Sequence, residues 1–438
     1  MKVLILSLSE HSLGELHNAL FFAGQLKKTG GEVFIIATVN HLDYARAAGF
    51  EVAAWGKKRR TNEEFLRQRI LEMRPDAVVL ADYYNMYLEE PFFNIGMVLD
   101  LGVPVATFDS MNFAPGPTSL EKEILRESRF AGAFGKGGQF KIELPALPPE
   151  MAVLRTCPIN RPVQEPGILP VALYKEPLTL TAERREEVRS RYGLVPGEKL
   201  VMLAKAGWAH LAVKIRAMER SLTLRFSYEK QLQRLLQLYL RDVSRPVTVI
   251  GVGPQVIFDR NHQNVRFVSL PFLSLVDYQE LLLASDLFIS DNITSASAAK
   301  AVIGGVPALI LINSLVSNRD GTYQASFNLE EEVVALLNQW EQAVPGSIFP
   351  FYVYPFGWIR ELASLLEGNP FFDVIVKAEM FDVSSTGESV ARLLFDEAYR
   401  KDLAGSQADY YELMASLPGA LEAVQWVRQR WLDGTGSR

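Results

Sequence analysis

Three stretches of this chain carry residue types that could do chemistry. The first runs from Asp291 to Gly305, "DNITSASAAKAVIGG". A strand ending there and turning into a helix would present free backbone N–H groups at the helix N-terminus. Thr294, Ser295 and Ser297 add hydroxyl donors, which together make an anion site. The plainer reading is a helix capped by Ser or Thr. The second stretch is "HSLGELHNAL", where Glu15 opens a helix after the first strand, between His11 and His17. A carboxylate at that junction can take a proton from a hydroxyl, and the helix dipole favours an acid there in any case. The third is "ATFDSMN", which places Asp109 at the carboxyl end of a strand, where open α/β sheets meet their ligands. Asp109 could equally close a turn. There is no Walker A sequence, no Asp-x-Asp pair and no Cys/His ligand spacing.

The elements around these stretches alternate. "KVLILSL" is a mostly apolar run, as expected of a central parallel strand covered on both faces. "LGELHNALFFAGQLKKTG" has helical spacing and ends in Lys27, Lys28 and a glycine stop. "EVFIIAT", "DAVVLAD" and "VPVATFDS" read as further strands, with helices "RTNEEFLRQRILEMRP" and "PFFNIGMVLDLG" between them. Proline-dense sequence from about Pro115 to Gly197 blurs the pattern and suggests a last strand or two and then an interdomain crossing. A second series starts at "KLVMLAKAG" and continues through "PVTVIGVG", "VRFVSL", "DLFIS" and "VPALILIN". Such alternation predicts doubly wound parallel sheets. The expected layout is a Rossmann-like unit over 1–170, a linker and lead-in helix over 171–197, a second Rossmann-like unit over 198–410 and a closing helical segment over 411–438.

Composition sets the class. The 438 residues carry 45 Lys+Arg against 51 Asp+Glu, for a net charge of −6, with 48% apolar and 22% charged residues. That is ordinary globular composition. Its mild acidity argues against a general nucleic-acid binder. A single cysteine, Cys157, excludes an internal disulfide and points to a reducing compartment. No apolar stretch is long and uninterrupted enough to span a bilayer, so a cytoplasmic protein without an integral membrane segment is expected.

The run "NVRFVSLPFLSLVDYQELLLASDLFISDNITSASAAKAVIGGVPALILI" resembles the donor-binding region of GT-B glycosyltransferases, without a gap from Asn264 to Pro307. "SLGELHNALFFAGQLKKTGGEV" resembles the N-terminal Gly-Ser-x-Gly-Asp-x-x-Pro…Leu…Gly-His-x-Val pattern of the same superfamily, again without a gap. The resemblance implies a GT-B fold of two Rossmann-like domains with a C-terminal helix crossing back. It also implies a metal-independent glycosyltransferase with no cofactor beyond a nucleotide-sugar co-substrate and a small-molecule or glycan acceptor. Glu15 falls where the family keeps a catalytic Asp or His, and Asp109 or His17 would orient it. Thr294, Ser295, Ser297 and Asn292 would lie along the donor diphosphate, with Lys205 after the second unit's first strand. Lys214 is a further basic candidate. The family's His-Gly-Gly-x-Asn-Ser…Glu becomes Asn292-Ile293-Thr294-Ser295-Ala296-Ser297…Lys300, and its N-terminal His becomes Gly31. A lysine offers ribose hydroxyls no acceptor but brings positive charge to a phosphate. Two alternatives share this plan: a nucleotide-sugar epimerase or hydrolase, and a GT-B-like partner protein without transfer chemistry. The aromatic runs "ADYYNMYLEEPFF" and "IFPFYVYPFGW" suit core packing more than ligand stacking. Residues Val316 to Pro355 follow no family pattern.

Overall fold

The computed structural model of the chain describes residues 1–9, 13–56, 59–89, 94–122, 140–205, 214, 217–218, 221–253, 264–318 and 320–435. The first apolar run forms β1 (Lys2–Ser7). It is followed by β2 (Glu32–Thr38), β3 (Glu51–Trp55), β4 (Ala77–Leu80) and β5 (Val105–Phe108). An antiparallel pair, β6 (Thr118–Lys122) and β7 (Phe140–Leu144), precedes β8 (Ala152–Cys157) and β9 (Ile168–Ala172). The main sheet has the order β3-β2-β1-β4-β5-β8-β9 and every ladder is parallel. Leu4 and Leu6 join one buried cluster, whereas Val3 and Ile5 join another on the opposite face. Both faces of β1 are therefore covered, which is why its sequence is continuously apolar.

The second half repeats the plan with β10 (Lys199–Ala204), β11 (Val247–Val252), β12 (Val265–Leu270), β13 (Leu287–Ser290) and β14 (Ala308–Ile312). A small hairpin, β15 (Val316–Ser317) with β16 (Tyr323–Gln324), comes before the last strand, β17 (Val376–Glu379). The sheet order is β12-β11-β10-β13-β14-β17, again parallel throughout. In each sheet the order reverses once, between β1 and β4 and between β10 and β13. At such a point the crossovers diverge to opposite faces and leave a crevice at the carboxyl ends of the strands.

The helices of the first half are α1 (Leu13–Lys28), α2 (Leu42–Ala47), α3 (Arg59–Met73), α4 (Tyr83–Glu89) and α5 (Ile95–Leu99). Those of the second half are α6 (Ala182–Arg191), α7 (Ser227–Tyr239), α8 (Leu275–Ala284), α9 (Ala296–Ile303), α10 (Glu331–Ala343), α11 (Ala363–Leu366), α12 (Val383–Phe395), α13 (Glu397–Ala415) and α14 (Ala420–Thr435). The last of these returns to the N-terminal half and packs on α1, β4, β8 and β9. Gln25 fastens it: Nε2 donates to the carbonyls of Ala172 and Leu173 at 2.8 and 2.9 Å, and Oε1 accepts the Ala420 N–H at 2.9 Å.

The aromatic stretch at Tyr83, to which the sequence assigned no element, is a helix, α4, started by Asp82 just after β4. The last strands expected in the proline-dense region are β8 and β9. Strand β9 contains Pro170; as an edge strand it tolerates a missing donor.

One buried carboxylate organises the amino-terminal edge of the second sheet. Asp286 is 6% exposed and meets Arg189 at 3.0 Å, Arg185 at 3.3 Å, and Lys199 and Arg400 at 3.6 Å. It also accepts the Leu200 N–H at 2.9 Å. Burial pushes its carboxyl up, but Leu200 and the Arg189 and Lys199 cations outweigh that and hold it below the usual range. The folded chain therefore binds fewer protons here than the unfolded chain, and the stabilisation is lost as pH falls through the folded value. Asp286→Asn should cost about 3 kcal/mol at pH 7, as expected when a buried ion pair loses one partner. In urea unfolding the gap to wild type should narrow below about pH 4.

Candidate active site

The reversal points bring the sequence candidates together. Glu15 lies in the first turn of α1, after β1. Asp82 follows β4 at the same reversal, and Asp109 follows β5 beside it. In the second sheet Lys205 follows β10, and Asp291 to Ser297 follow β13. His11 lies outside the described residues.

Glu15 is 7% exposed, and its Oε1 accepts a hydrogen bond from Asn85 Nδ2 on α4 at 2.6 Å. Asp109 is committed elsewhere. Its oxygens accept the N–H groups of Phe113 at 2.8 Å and Ala114 at 3.3 Å, and Arg155 Nε lies at 3.3 Å. Arg155 in turn meets the partly exposed Glu165 at 2.6 Å, which makes an Asp–Arg–Glu row running outward from the buried Asp109 and Arg155. Burial and the neighbouring Asp82 raise the Asp109 carboxyl to about 6, against the pull of Arg155. His17 faces away from this row. Its Nδ1 is 3.0 Å from Lys300 Nζ on α9, so the contact joins the two halves of the chain. Burial, then Lys300 and His41, push the His17 imidazole well below its ordinary value. A neutral ring that accepts from the lysine at Nδ1 carries its proton on Nε2, and that atom is buried with no hydrogen-bond partner among the described residues.

Lys300 is 3% exposed, and burial lowers its ammonium to about 7. No carboxylate pairs with it among the described residues; the Phe21 ring lies 5.3 Å from its Nζ. Lys205 is similar. Its Nζ is buried over the Tyr228 ring, 3.5 Å from the centroid, with no hydrogen-bond partner among the described residues. Burial lowers it to about 8 against the opposing pull of Glu229 and Asp291. Two buried cations held without an ion pair are costly and suit an anion that completes them. Lys214, the further basic candidate, instead lies 5.7 Å from the Phe226 ring.

The loop after β13 is satisfied internally. Asn292 Oδ1 accepts from Thr294 N and Thr294 Oγ1, both at 2.8 Å. Ser295 caps α9 by accepting the Ala298 N–H at 3.3 Å, and Ser297 Oγ is 2.7 Å from Tyr278 Oη. The hydroxyls named from sequence thus shape the helix start, and the lysines and backbone are left for an anion. The unmatched segment backs this loop: Ile293 donates to the Tyr352 carbonyl at 3.0 Å, and Tyr354 to that of Asp291 at 3.1 Å. Tyr354 stacks on Tyr228 at 4.6 Å, so these aromatic side chains serve as core beneath Lys205. A groove of about 1220 Å³, lined by Trp426, Arg430 and Glu165 among others, opens at the opposite edge of the first sheet and contains none of the candidates.

A family model described as "Family of unknown function (DUF6365)" matches residues 22–434. The chain belongs to the DUF6365 family. No curated protein matches this DUF6365 chain in sequence. Its fold is that of the GT-B glycosyltransferases. The glycosyltransferase VinC, solved in complex with DTDP, is 15% identical over 98% of this chain and 99% of its own, with a TM-score of 0.51. The spinosyn forosaminyltransferase SpnP is 16% identical over 98% and 99%, also at 0.51. The spinosyn rhamnosyltransferase SpnG, complexed with thymidine diphosphate, is 15% identical over 98% and 100%, at 0.51. At these identities the likeness is one of fold. No helix among the described residues is long and apolar enough to cross a membrane.

Asn85, Asp82, Tyr278 and Arg155 were not singled out from sequence. The Asp82-x-x-Asn85 spacing directly after an apolar strand is a helix-start signal that the aromatic run obscured.

Removing the Lys300 charge should stabilise the protein. The unfolded chain holds this proton up to about pH 10.4 and the folded one only to about 7, so wild-type stability rises with pH between those values. Lys300→Met should unfold at a higher temperature than wild type at pH 7, with the advantage fading toward pH 10 in thermal melts.

Proposed function

We propose that this DUF6365 protein is a glycosyltransferase that moves a sugar from a nucleotide-sugar donor to a hydroxyl of a small-molecule or glycan acceptor, without a resident metal. The observation that carries the reading is two buried lysines in the second half, Lys205 after β10 and Lys300 on α9, the latter reaching the helix that bears buried Glu15. Glu15 takes the proton of the acceptor hydroxyl while its oxygen attacks the anomeric carbon. The bond from that carbon to the diphosphate breaks, and the diphosphate leaves with the electron pair. Lys205, Lys300 and the N-terminal N–H groups of α9 take up the negative charge. Thr294, Ser295, Ser297 and Asn292 hold the loop in shape for this contact. The GT-B fold shared with VinC and SpnG, both solved with a thymidine-type diphosphate, supports the reading.

Binding is tested first with a panel of nucleoside diphosphates and nucleotide sugars, by thermal shift and calorimetry. A cognate ligand at 100 times its dissociation constant stabilises the fold by about 2.7 kcal/mol. Lys205→Met and Lys300→Met should each remove most of that gain. Because anion binding favours the protonated lysines, affinity should begin to fall as pH exceeds the value of about 7 at Lys300, by up to about tenfold per pH unit, and fall more steeply above the value of about 8 at Lys205. Failure of the whole panel to bind would overturn the reading in favour of a partner protein. Consumption of donor without any acceptor would favour an epimerase or hydrolase. With the cognate pair in hand, Glu15→Gln should lower turnover roughly 10²-fold or more at unchanged donor affinity.

A further inference from the structure

The contact between Asn85 and Glu15 is built with more care than a chance surface bond. Asp82 accepts the N–H groups of Tyr84 and Asn85 with Oδ1, both at 3.1 Å, and that of Ser110 with Oδ2 at 2.8 Å. Its carbonyl accepts the Met86 N–H at 3.1 Å, the first bond of α4. Tyr83 N–H goes to Thr107 Oγ1 at 2.8 Å, and that hydroxyl donates to the Phe108 carbonyl at 2.8 Å. The start of α4 is thereby locked to the ends of both β4 and β5, and Asn85 is delivered to Glu15 from a rigid base. Asp82 does this at φ +84, a backbone conformation that glycine adopts freely and aspartate only with strain. Glycine has no carboxylate to accept three N–H groups. Strain retained for such a purpose gathers at functional sites.

An amide is also a particular choice of partner. Its Nδ2 donates only, so it favours the ionised form of the carboxylate it meets. Unlike an acid or an imidazole, it does not titrate and cannot compete for the proton.

We propose that Asn85, fixed by Asp82, is the positioning residue that holds the Glu15 carboxylate ionised and in one orientation for proton abstraction. This rests on Glu15 being the general base. The test labels glutamate carboxyl carbons with ¹³C in the full chain and follows the Glu15 resonance, identified by its loss in Glu15→Gln, against pH. In Asn85→Ala the Glu15 titration midpoint should rise by about one pH unit. In the near-isosteric Asn85→Asp, which places a like charge there, it should rise further. The acid limb of the turnover profile should move with it. A midpoint equal to wild type in both variants would overturn the proposal, even with a lowered unfolding temperature, since a purely structural tie moves stability alone. Should Asn85→Ala fail to fold, Asn85→Asp carries the same comparison. If the midpoint moves while Glu15→Gln keeps full turnover, the coupling stands and the general-base assignment falls.

Discussion

A parallel strand joins its neighbour only through a crossover that returns over one face of the sheet. Where successive crossovers switch faces, nothing covers the carboxyl ends of the two strands between them. Both large sheets among the described residues are parallel throughout, and each has one such place. The candidate chemistry sits at these two openings: Glu15 and Asp82 at one, Lys205 and the Asp291–Ser297 loop at the other. The Lys300–His17 contact joins them. The site thus follows from sheet topology before any side chain is considered.

Charge burial separates structural side chains from those available for function. Asp286 and Asp109 are both buried, yet each is surrounded by N–H groups and guanidinium, and each holds a local piece of structure together. Lys300 and Lys205 are also buried, but they have neither a carboxylate within ion-pair distance nor an accepting oxygen among the described residues. At Asp286 the first arrangement holds the carboxylate below its usual range and so lowers the folded free energy on its own, whereas at Asp109 burial and Asp82 outweigh it. The second raises the folded free energy, because an ammonium withdrawn from water is stabilised only by a partner, and the proposed anion would supply that partner.

The loop after β13 takes its shape from its own side chains. Asn292 closes a turn on Thr294, Ser295 caps α9 and Ser297 meets Tyr278. The 346–358 segment, with its Tyr228–Tyr354 stack, supports the loop from behind. The helix N-terminus keeps its place at the opening even though its hydroxyls are occupied.

The sequence by itself determined the repeated α/β plan, because continuous apolar runs such as "KVLILS" and "KLVMLA" suit only strands buried on both faces. It also located the stretches that reach the openings, since a strand followed by a capped helix is a local pattern. It did not reveal α4 beneath its aromatic residues, and it indicated a last strand or two among the prolines without placing β9 at Pro170, because an edge position and a cap at positive φ are properties of the assembled sheet. Only the tertiary structure decided which side chains meet. Glu15 and Asn85 lie 70 residues apart, His17 and Lys300 283 apart, and Asp109 and Arg155 46 apart. Pairings at such distances depend on strand order and on the face each helix presents, and local spacing carries neither.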